Sequence, residues 1–298
     1  MIRLGTRRSA LALAQARWVA ERLEGDVDLV PIRTAGDERR GPAPQTSDKA
    51  RFVKELEEAL LAGEIDLAVH SAKDVPGELP EGLHIVGVPE RADPRDALCG
   101  ARSLGQLTEG AVVGTASVRR RSALLALRPD LRIHELRGNV DTRLRRLAAG
   151  AFDAIVLARA GLARLGREDE GVPLDELVPA PGQGCLALEA RAGDEAVAAA
   201  AAALTDPAAL GALTAERALV AALDASCHTP VGAYAEPLGD TMRLTAFVGL
   251  PDGTHWIRDA LEAPAGVPAA LGAEVAERMA AAGAAELLAA AELAAPVR

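Results

Sequence analysis

The sequence predicts two α/β lobes followed by a smaller α+β domain, and three observations carry that prediction. Short aliphatic runs alternate with helix-periodic ones from residue 2 to 88, and the same alternation restarts from 112 to 158. A Pro- and charge-rich break, ERADPRD (90–96), separates the two series. After PAPGQG (179–184) and two Ala-rich helical stretches, strands follow one another without helices between them and a long helix closes the chain. Alternating strands and helices make α/β layers with a mostly parallel sheet, whereas consecutive strands with a packing helix make α+β. At 298 residues the chain has room for two or three domains.

In the first lobe, Ile2–Gly5 reads as a strand. Ser9 is placed to cap a helix running to about Leu23, with Leu11, Leu13, Ala14, Trp18 and Val19 as its apolar positions. Val27–Arg33 is a second strand. Residues 34–48 are rich in Pro, Gly and charge without apolar periodicity, the composition of a long binding loop or lid. Phe52, Leu56, Ala59 and Leu60 form one face of a helix, and strands at Ile65–His70 and His84–Val88 flank the turn SAKDVPGELP. In the second lobe, strands at Val112–Thr115, Leu131–Leu136 and Phe152–Ala158 alternate with helices at Ser117–Leu127 and Val140–Ala149. The last part holds helices at 194–204 and 207–223, strands around Tyr234, at Met242–Leu250 and at Thr254–Leu261, and one helix from Ala269 to Leu293.

Composition narrows the function classes. Hydrophobic residues make up 49% and charged residues 26%, an ordinary globular balance that excludes a disordered or fibrous chain. With aromatics at 2%, the core must be aliphatic. No apolar run approaches the ~18–20 residues that span a bilayer, and arginines interrupt the N-terminal apolar stretch, so neither a membrane span nor a secretory signal is expected. Three cysteines without CxxC spacing, and five histidines without ligand spacing, point to no disulfide scaffold and no metal, and a reducing, cytoplasmic setting is expected.

Charge is unevenly placed. The net charge is −10, yet residues 114–146 hold nine arginines against three acids, a local +6. A basic region inside an acidic protein points to a local anion site rather than to nucleic acid, and the few aromatics offer little for stacking on single strands. The plainer reading of any single arginine here is a solvated helix face. Gly114–Arg120 places Thr115, Ser117, Arg119 and Arg120 at a strand-to-helix turn, where free N–H groups, hydroxyls and guanidinium forks all favour carboxylate or phosphate. One Ser there would be a plain cap, but two hydroxyls with two arginines are more specific. Leu136–Arg143 repeats the arrangement with Arg137 and Arg143, and Arg7 with Ser9 occupies the same kind of turn in the first lobe. In a parallel sheet such turns lie at the carboxyl ends of the strands, where ligands bind. A cleft lined by anion sites from both lobes, suited to a polyanion, is the expectation.

Two further stretches stay open on residue chemistry alone. Asp74 in HSAKDVP reads first as a turn former, and otherwise as a carboxylate facing cations. Cys227 in ASCHTP reads as a small buried residue or as an attachment point for a covalent group. Cys99 and Cys185 sit in apolar strand-like runs and read as core.

Taken together these stretches resemble the porphobilinogen deaminase (hydroxymethylbilane synthase) family. The match runs in order through GTRRSALALAQA, TAGD (34–37), FVKELEEALL (52–61), DLAVHSAKDVP (66–76), DPRDAL (93–98), GTASVRRR (114–121), LRGNVDTRL (136–144), DAIVLARAGLARLG (153–166), PAPGQGCLALE (179–189), TAERA (214–218) and CHTPVGAYA (227–235). The resemblance implies a transferase that condenses four porphobilinogen molecules head to tail with loss of ammonia. The condensation is primed on a dipyrromethane cofactor held by a thioether to Cys227, and the linear tetrapyrrole is released by hydrolysis. It implies Asp74 as the catalytic carboxylate. It implies Arg7, Ser9, Lys49, Ser71, Lys73, Thr115, Ser117, Arg119, Arg120, Arg137, Gly138, Arg143, Arg164 and Gln183 as cofactor and substrate positions.

It also implies lobes of the type II periplasmic-binding-protein kind. Residues 1–91 with 184–204 would form the first domain, 95–179 the second and 207–298 the third, with a hinge where the chain crosses twice. Since that fold also serves receptors, a bilobal solute-binding protein without catalysis is the alternative. A monomer is expected. The sequence departs from the family pattern at Gln45 in place of a lysine, at Ala116 in place of a serine and at Ser226 in place of a glycine. Chemically, each pyrrole ring brings an acetate and a propionate, so a growing chain needs an arginine-rich wall. A fixed carboxylate near the pyrrole N–H groups would stabilise the cations that form when ammonia leaves and the next ring attacks.

Overall fold

A computed structural model describes residues 1–33, 50–225 and 229–294. The expected 34–48 loop, Lys49 and Cys227 lie outside the described residues. The chain divides into two compact units, residues 1–92 with 184–211 and residues 93–183 with 212–297.

The first unit holds a five-stranded sheet in the order β2-β1-β3-β10-β4. These strands are β1 (Ile2–Arg7), β2 (Val27–Ile32), β3 (Leu67–Ser71), β4 (Leu83–Gly87) and β10 (Leu186–Arg191). Helix α1 (Ala10–Ala20) packs Ala16 and Val19 on one face of the sheet, against Leu4, Leu67, Val69, Leu186 and Leu188. Helix α2 (Ala50–Leu61) packs Leu56, Ala59 and Leu60 with Ile65, Ala68 and Leu83. Ser9 caps α1 as its position predicts, its side chain accepting from the Ala12 N–H at 3.3 Å.

The second unit opens with β5 (Asp96–Cys99), β6 (Val112–Gly114), α3 (Val118–Leu127), β7 (Arg132–His134), α4 (Val140–Ala148), β8 (Ala154–Ala158), α5 (Arg159–Arg164) and β9 (Val172–Leu174). Its sheet runs β7-β6-β8-β5-β9. Helices α6 (Glu195–Ala202) and α7 (Pro207–Ala222) follow β10. A three-stranded antiparallel sheet of β11 (Val231–Leu238), β12 (Thr241–Gly249) and β13 (Trp256–Pro264) is covered by α8 (Pro268–Ala281) and α9 (Ala284–Ala294). Leu271, Val275, Met279 and Leu288 pack there on Ala233, Leu244, Ala246 and Val248. Two five-stranded α/β sheets and a C-terminal sheet with helices match the predicted class.

One expectation is refined and one corrected. Each α/β sheet has four strands running one way and one reversed within it: β10 runs antiparallel to both β3 and β4, and β5 antiparallel to both β8 and β9. Hydrophobic runs carry no strand direction, and β10 reaches its sheet by chain re-entry after residue 183 rather than by a βαβ crossover. The single closing helix is two. Gly283 takes φ +97, a left-handed conformation that suits glycine, and it stops α8 before α9 begins. Among the described residues no single helix is long and apolar enough to cross a membrane.

Candidate active site

In the second unit β6 and β7 are parallel neighbours, so the turns that leave them sit side by side at one end of the sheet. After β6, the Thr115 N–H donates to the His134 carbonyl at 3.0 Å, and Thr115 Oγ1 accepts from the Ser117 N–H at 3.1 Å. Ser117 is the N-cap of α3 and accepts from the Arg120 N–H at 3.4 Å. Both hydroxyls act as acceptors toward backbone, which leaves each O–H to donate elsewhere. After β7, Gly138 turns the chain at φ +115 and Asn139 caps α4 through the Thr142 N–H at 3.0 Å. Arg137 is exposed beside Glu135, Nε to Oε1 2.5 Å, and Arg143 Nε donates to the Gly138 carbonyl at 2.6 Å. Arg164 is half-buried at the end of α5.

Arg119 and Arg120 are not solvated forks. They lie 4% and 6% exposed around Asp96, which is wholly buried. Arg119 Nη1 donates to Asp96 Oδ2 at 2.8 Å and to the Val178 carbonyl at 2.6 Å. Arg120 Nε donates to Asp96 Oδ1 at 2.9 Å, and its Nη1 to the Val156 carbonyl at 2.9 Å. Gln183, 1% exposed, adds a bond from Nε2 to Asp96 Oδ1 at 2.9 Å. Burial alone would push Asp96 up, but the two guanidinium charges outweigh it and hold the carboxyl well below its usual range. Burial pushes Arg120 down, with Asp96 opposing. Arg119 Nε is buried without a hydrogen-bond partner. The loop that carries Gln183 is held in turn by Glu216 of α7, whose carboxylate accepts from the Gly182 N–H at 2.6 Å and the Ala235 N–H at 2.8 Å.

In the first unit β1 and β3 are parallel neighbours, so Arg7 and Ser9 leave the sheet at the same end as Ser71–Asp74. Ser71 Oγ accepts from Gln15 Nε2 at 2.9 Å. A single 3-10 turn, Ala72–Asp74, follows β3, tied by the Ala72 N–H to the Cys185 carbonyl at 3.1 Å. Lys73 and Asp74 are both half-buried in it, and Asp74 makes no side-chain hydrogen bond or ion pair with another described residue.

Asp96 and Glu216 carry no role in the sequence reading. Both stand inside the quoted stretches DPRDAL and TAERA, but each has partners far along the chain, so no local pattern marks it. Among the described residues no group of three His, Cys, Asp or Glu side chains could hold a metal.

Family comparison decides between an enzyme of this kind and a receptor. A model of the porphobilinogen deaminase dipyrromethane cofactor-binding domain matches residues 2–199, and one of the porphobilinogen deaminase C-terminal domain matches residues 210–281. The chain belongs to the porphobilinogen deaminase family. Porphobilinogen deaminase of Deinococcus radiodurans is 48% identical over 96% of this chain and 97% of its own. That of Thermus thermophilus is 48% identical over the same shares. Among solved structures, a TRAP solute-binding protein from Ralstonia eutropha is similar at a TM-score of 0.40 and 14% identity, over 68% of this chain and 76% of that one.

The residues present fit the cofactor of the porphobilinogen deaminase family. A dipyrromethane of two such rings carries four carboxylates, and the 93–183 region offers hydroxyl donors, helix-start N–H groups and the orphaned Nε of Arg119.

Proposed function

We propose that this chain condenses four porphobilinogen molecules head to tail, releasing ammonia at each step and then the linear tetrapyrrole by hydrolysis. Porphobilinogen is the substrate, and dipyrromethane, thioether-linked to Cys227, supplies the ring carbon to which the first substrate is joined. The observation that carries this reading is the pair of adjacent strand-to-helix turns after β6 and β7, which gather donors for carboxylates at one end of one sheet.

Thr115, Ser117, Arg137, Gly138, Arg143 and Arg164 bind the ring carboxylates. Arg119, Arg120 and Gln183 hold Asp96 and present what donor capacity remains. In the first unit Arg7, Ser9, Ser71 and Lys73, with Lys49, receive the incoming acid groups. Asp74 carries the chemistry. Loss of ammonia leaves a positive charge on the substrate pyrrole, and attack by the preceding ring moves it there. A fixed carboxylate stabilises both cations, the kind of preorganised electrostatics that dominates many enzyme rates. The arginines position and Asp74 stabilises. The domain division into 1–91 with 184–204, 95–179 and 207–298, a cytoplasmic setting and a monomeric state belong to the same reading.

Intact-mass analysis with peptide mapping tests it. The purified chain should be heavier than its sequence by two pyrrole units, on the peptide containing Cys227, and should turn over porphobilinogen. A chain of unmodified mass, inactive with porphobilinogen, would favour a binding protein.

A further inference from the structure

A second buried polar cluster lies in the first unit, outside the residues assigned above. His70 in β3 pairs in register with Ala187 of β10, and Glu189 with Ala68, which puts His70 and Glu189 diagonally across one face of the sheet. His70 Nε2 lies 2.8 Å from Glu189 Oε2, with side chains 3% and 0% exposed, a close approach without hydrogen-bond geometry that leaves both Glu189 oxygens and His70 Nε2 buried without a hydrogen-bond partner among the described residues. Glu57 reaches the same place from α2 and is also buried. Burial, then the Glu189 charge, pushes the Glu57 carboxyl up, with His70 opposing. The rest of this face is aliphatic, built of Leu56, Ala59, Leu60, Ile65, Ala68 and Leu83.

As a stabilising device this arrangement is poor. Burying polar and charged groups together costs desolvation that their attraction often fails to recover, and apolar residues of similar volume commonly do as well or better. In some proteins buried polar groups of this kind set placement rather than stability. On the opposite face β3 and β10 meet through Leu67, Val69, Leu186 and Leu188, and aliphatic contacts of period two discriminate weakly between registers two residues apart. Arg191 and Asp66, 3.3 Å apart, fix the far end of this strand pair. His70 and Glu189 stand near the end that runs into Ser71–Asp74. A bulge between Leu188 and Glu189 interrupts the β10–β4 ladder at the same point, a device that re-aims a side chain and recurs beside active sites.

We propose that the buried His70–Glu189 pair is a positioning device: it pins the end of β3 on β10 so that the turn Ala72–Asp74 leaves the sheet at a fixed place and the Asp74 carboxylate is held where the reaction needs it. Glu57 faces the pair from α2, where burial and the Glu189 charge raise its carboxyl. His70 and Glu189 are positioning residues, and the inference rests on Asp74 being the catalytic carboxylate.

The test is kinetic, on the cofactor-loaded enzyme with porphobilinogen. In the double variant His70→Leu/Glu189→Leu, the melting temperature and the cofactor mass should be retained and KM little changed, while kcat falls about 10²-fold, the scale of a small misplacement of a reacting group. Glu189→Gln, which keeps shape and one acceptor, should recover part of that loss. Should the double variant fail to fold, Glu189→Gln alone is read in the same way, a lower kcat at unchanged KM and melting temperature being the expected result. Unchanged kcat in a folded variant, or kcat, KM and melting temperature falling together, would overturn the proposal. Asp74→Asn measured in parallel separates the two readings: if it keeps its turnover, the assignment of Asp74 fails, whereas an inactive Asp74→Asn beside a fully active double variant defeats the positioning role alone.

Discussion

Asp96 Oδ2 lies 2.8 Å from Arg119 Nη1, and its other oxygen takes the Nε of Arg120 at 2.9 Å, so one buried carboxylate gathers two guanidinium groups from the first turn of α3. The pairing explains why adjacent arginines, residues that are almost never fully buried unless paired, stand inside this unit. It also sets the direction in which each guanidinium presents its remaining donors.

Removing the carboxylate should therefore cost far more than a surface ion pair. Asp96→Ala leaves two buried cations without their counter-charge, and a loss of about 3–5 kcal/mol in unfolding free energy is expected. Denaturant unfolding measures it. A variant as stable as the parent would mean that solvent, not Asp96, satisfies the arginines.

Glu57 gives a pH-dependent prediction with a definite sign. Its carboxyl is raised in the folded protein, mainly by burial. A carboxyl raised by folding leaves stability intact below its unfolded value of ~4.3, and reduces it as pH climbs through the raised folded value. Glu57→Gln removes that penalty. The variant should melt higher than the parent at neutral pH, and the gain should vanish below about pH 4. Thermal melts across pH decide it, and a gain that persists in acid would contradict the assignment.

The cysteines offer a chemical check. Burial pushes the Cys99 thiol up to about 12, with Glu170 adding to the rise, and Cys185 is also buried. A thiol reagent at pH 8 should modify neither in the native protein. Of the three cysteines in the sequence, two thiols should react after unfolding when Cys227 carries its thioether, and three if it does not. Quantitative thiol titration before and after denaturation reads both numbers.

Much of this architecture is legible in the sequence because local chemistry fixes it. Ser9 and Ser117 cap the helices they precede, and the turns after β6 and β7 stand where strand-like runs give way to helical ones. What escapes is non-local. The four-residue β5 follows a Pro- and Arg-rich stretch that reads as a break, and nothing in LALEAR declares that β10 will run antiparallel between β3 and β4. The Ala run from 269 to 293 hides the stop at Gly283, since one glycine in a helical pattern has no visible conformation. The Asp96 cluster is hidden for a similar reason: its arginines lie 23 and 24 positions away and Gln183 lies 87 away. Sequence reading sees two basic forks, and only the fold supplies the acid that turns them inward.

The most direct test of the account is single-turnover kinetics on Asp74→Asn carrying a mass-verified cofactor. Removing a preorganised charge of this kind commonly costs about 10²–10³-fold in rate, and a loss of that size with substrate binding retained is the expected result. Turnover close to the parent's, with the cofactor in place, would contradict the claim that this carboxylate stabilises the pyrrolic cation.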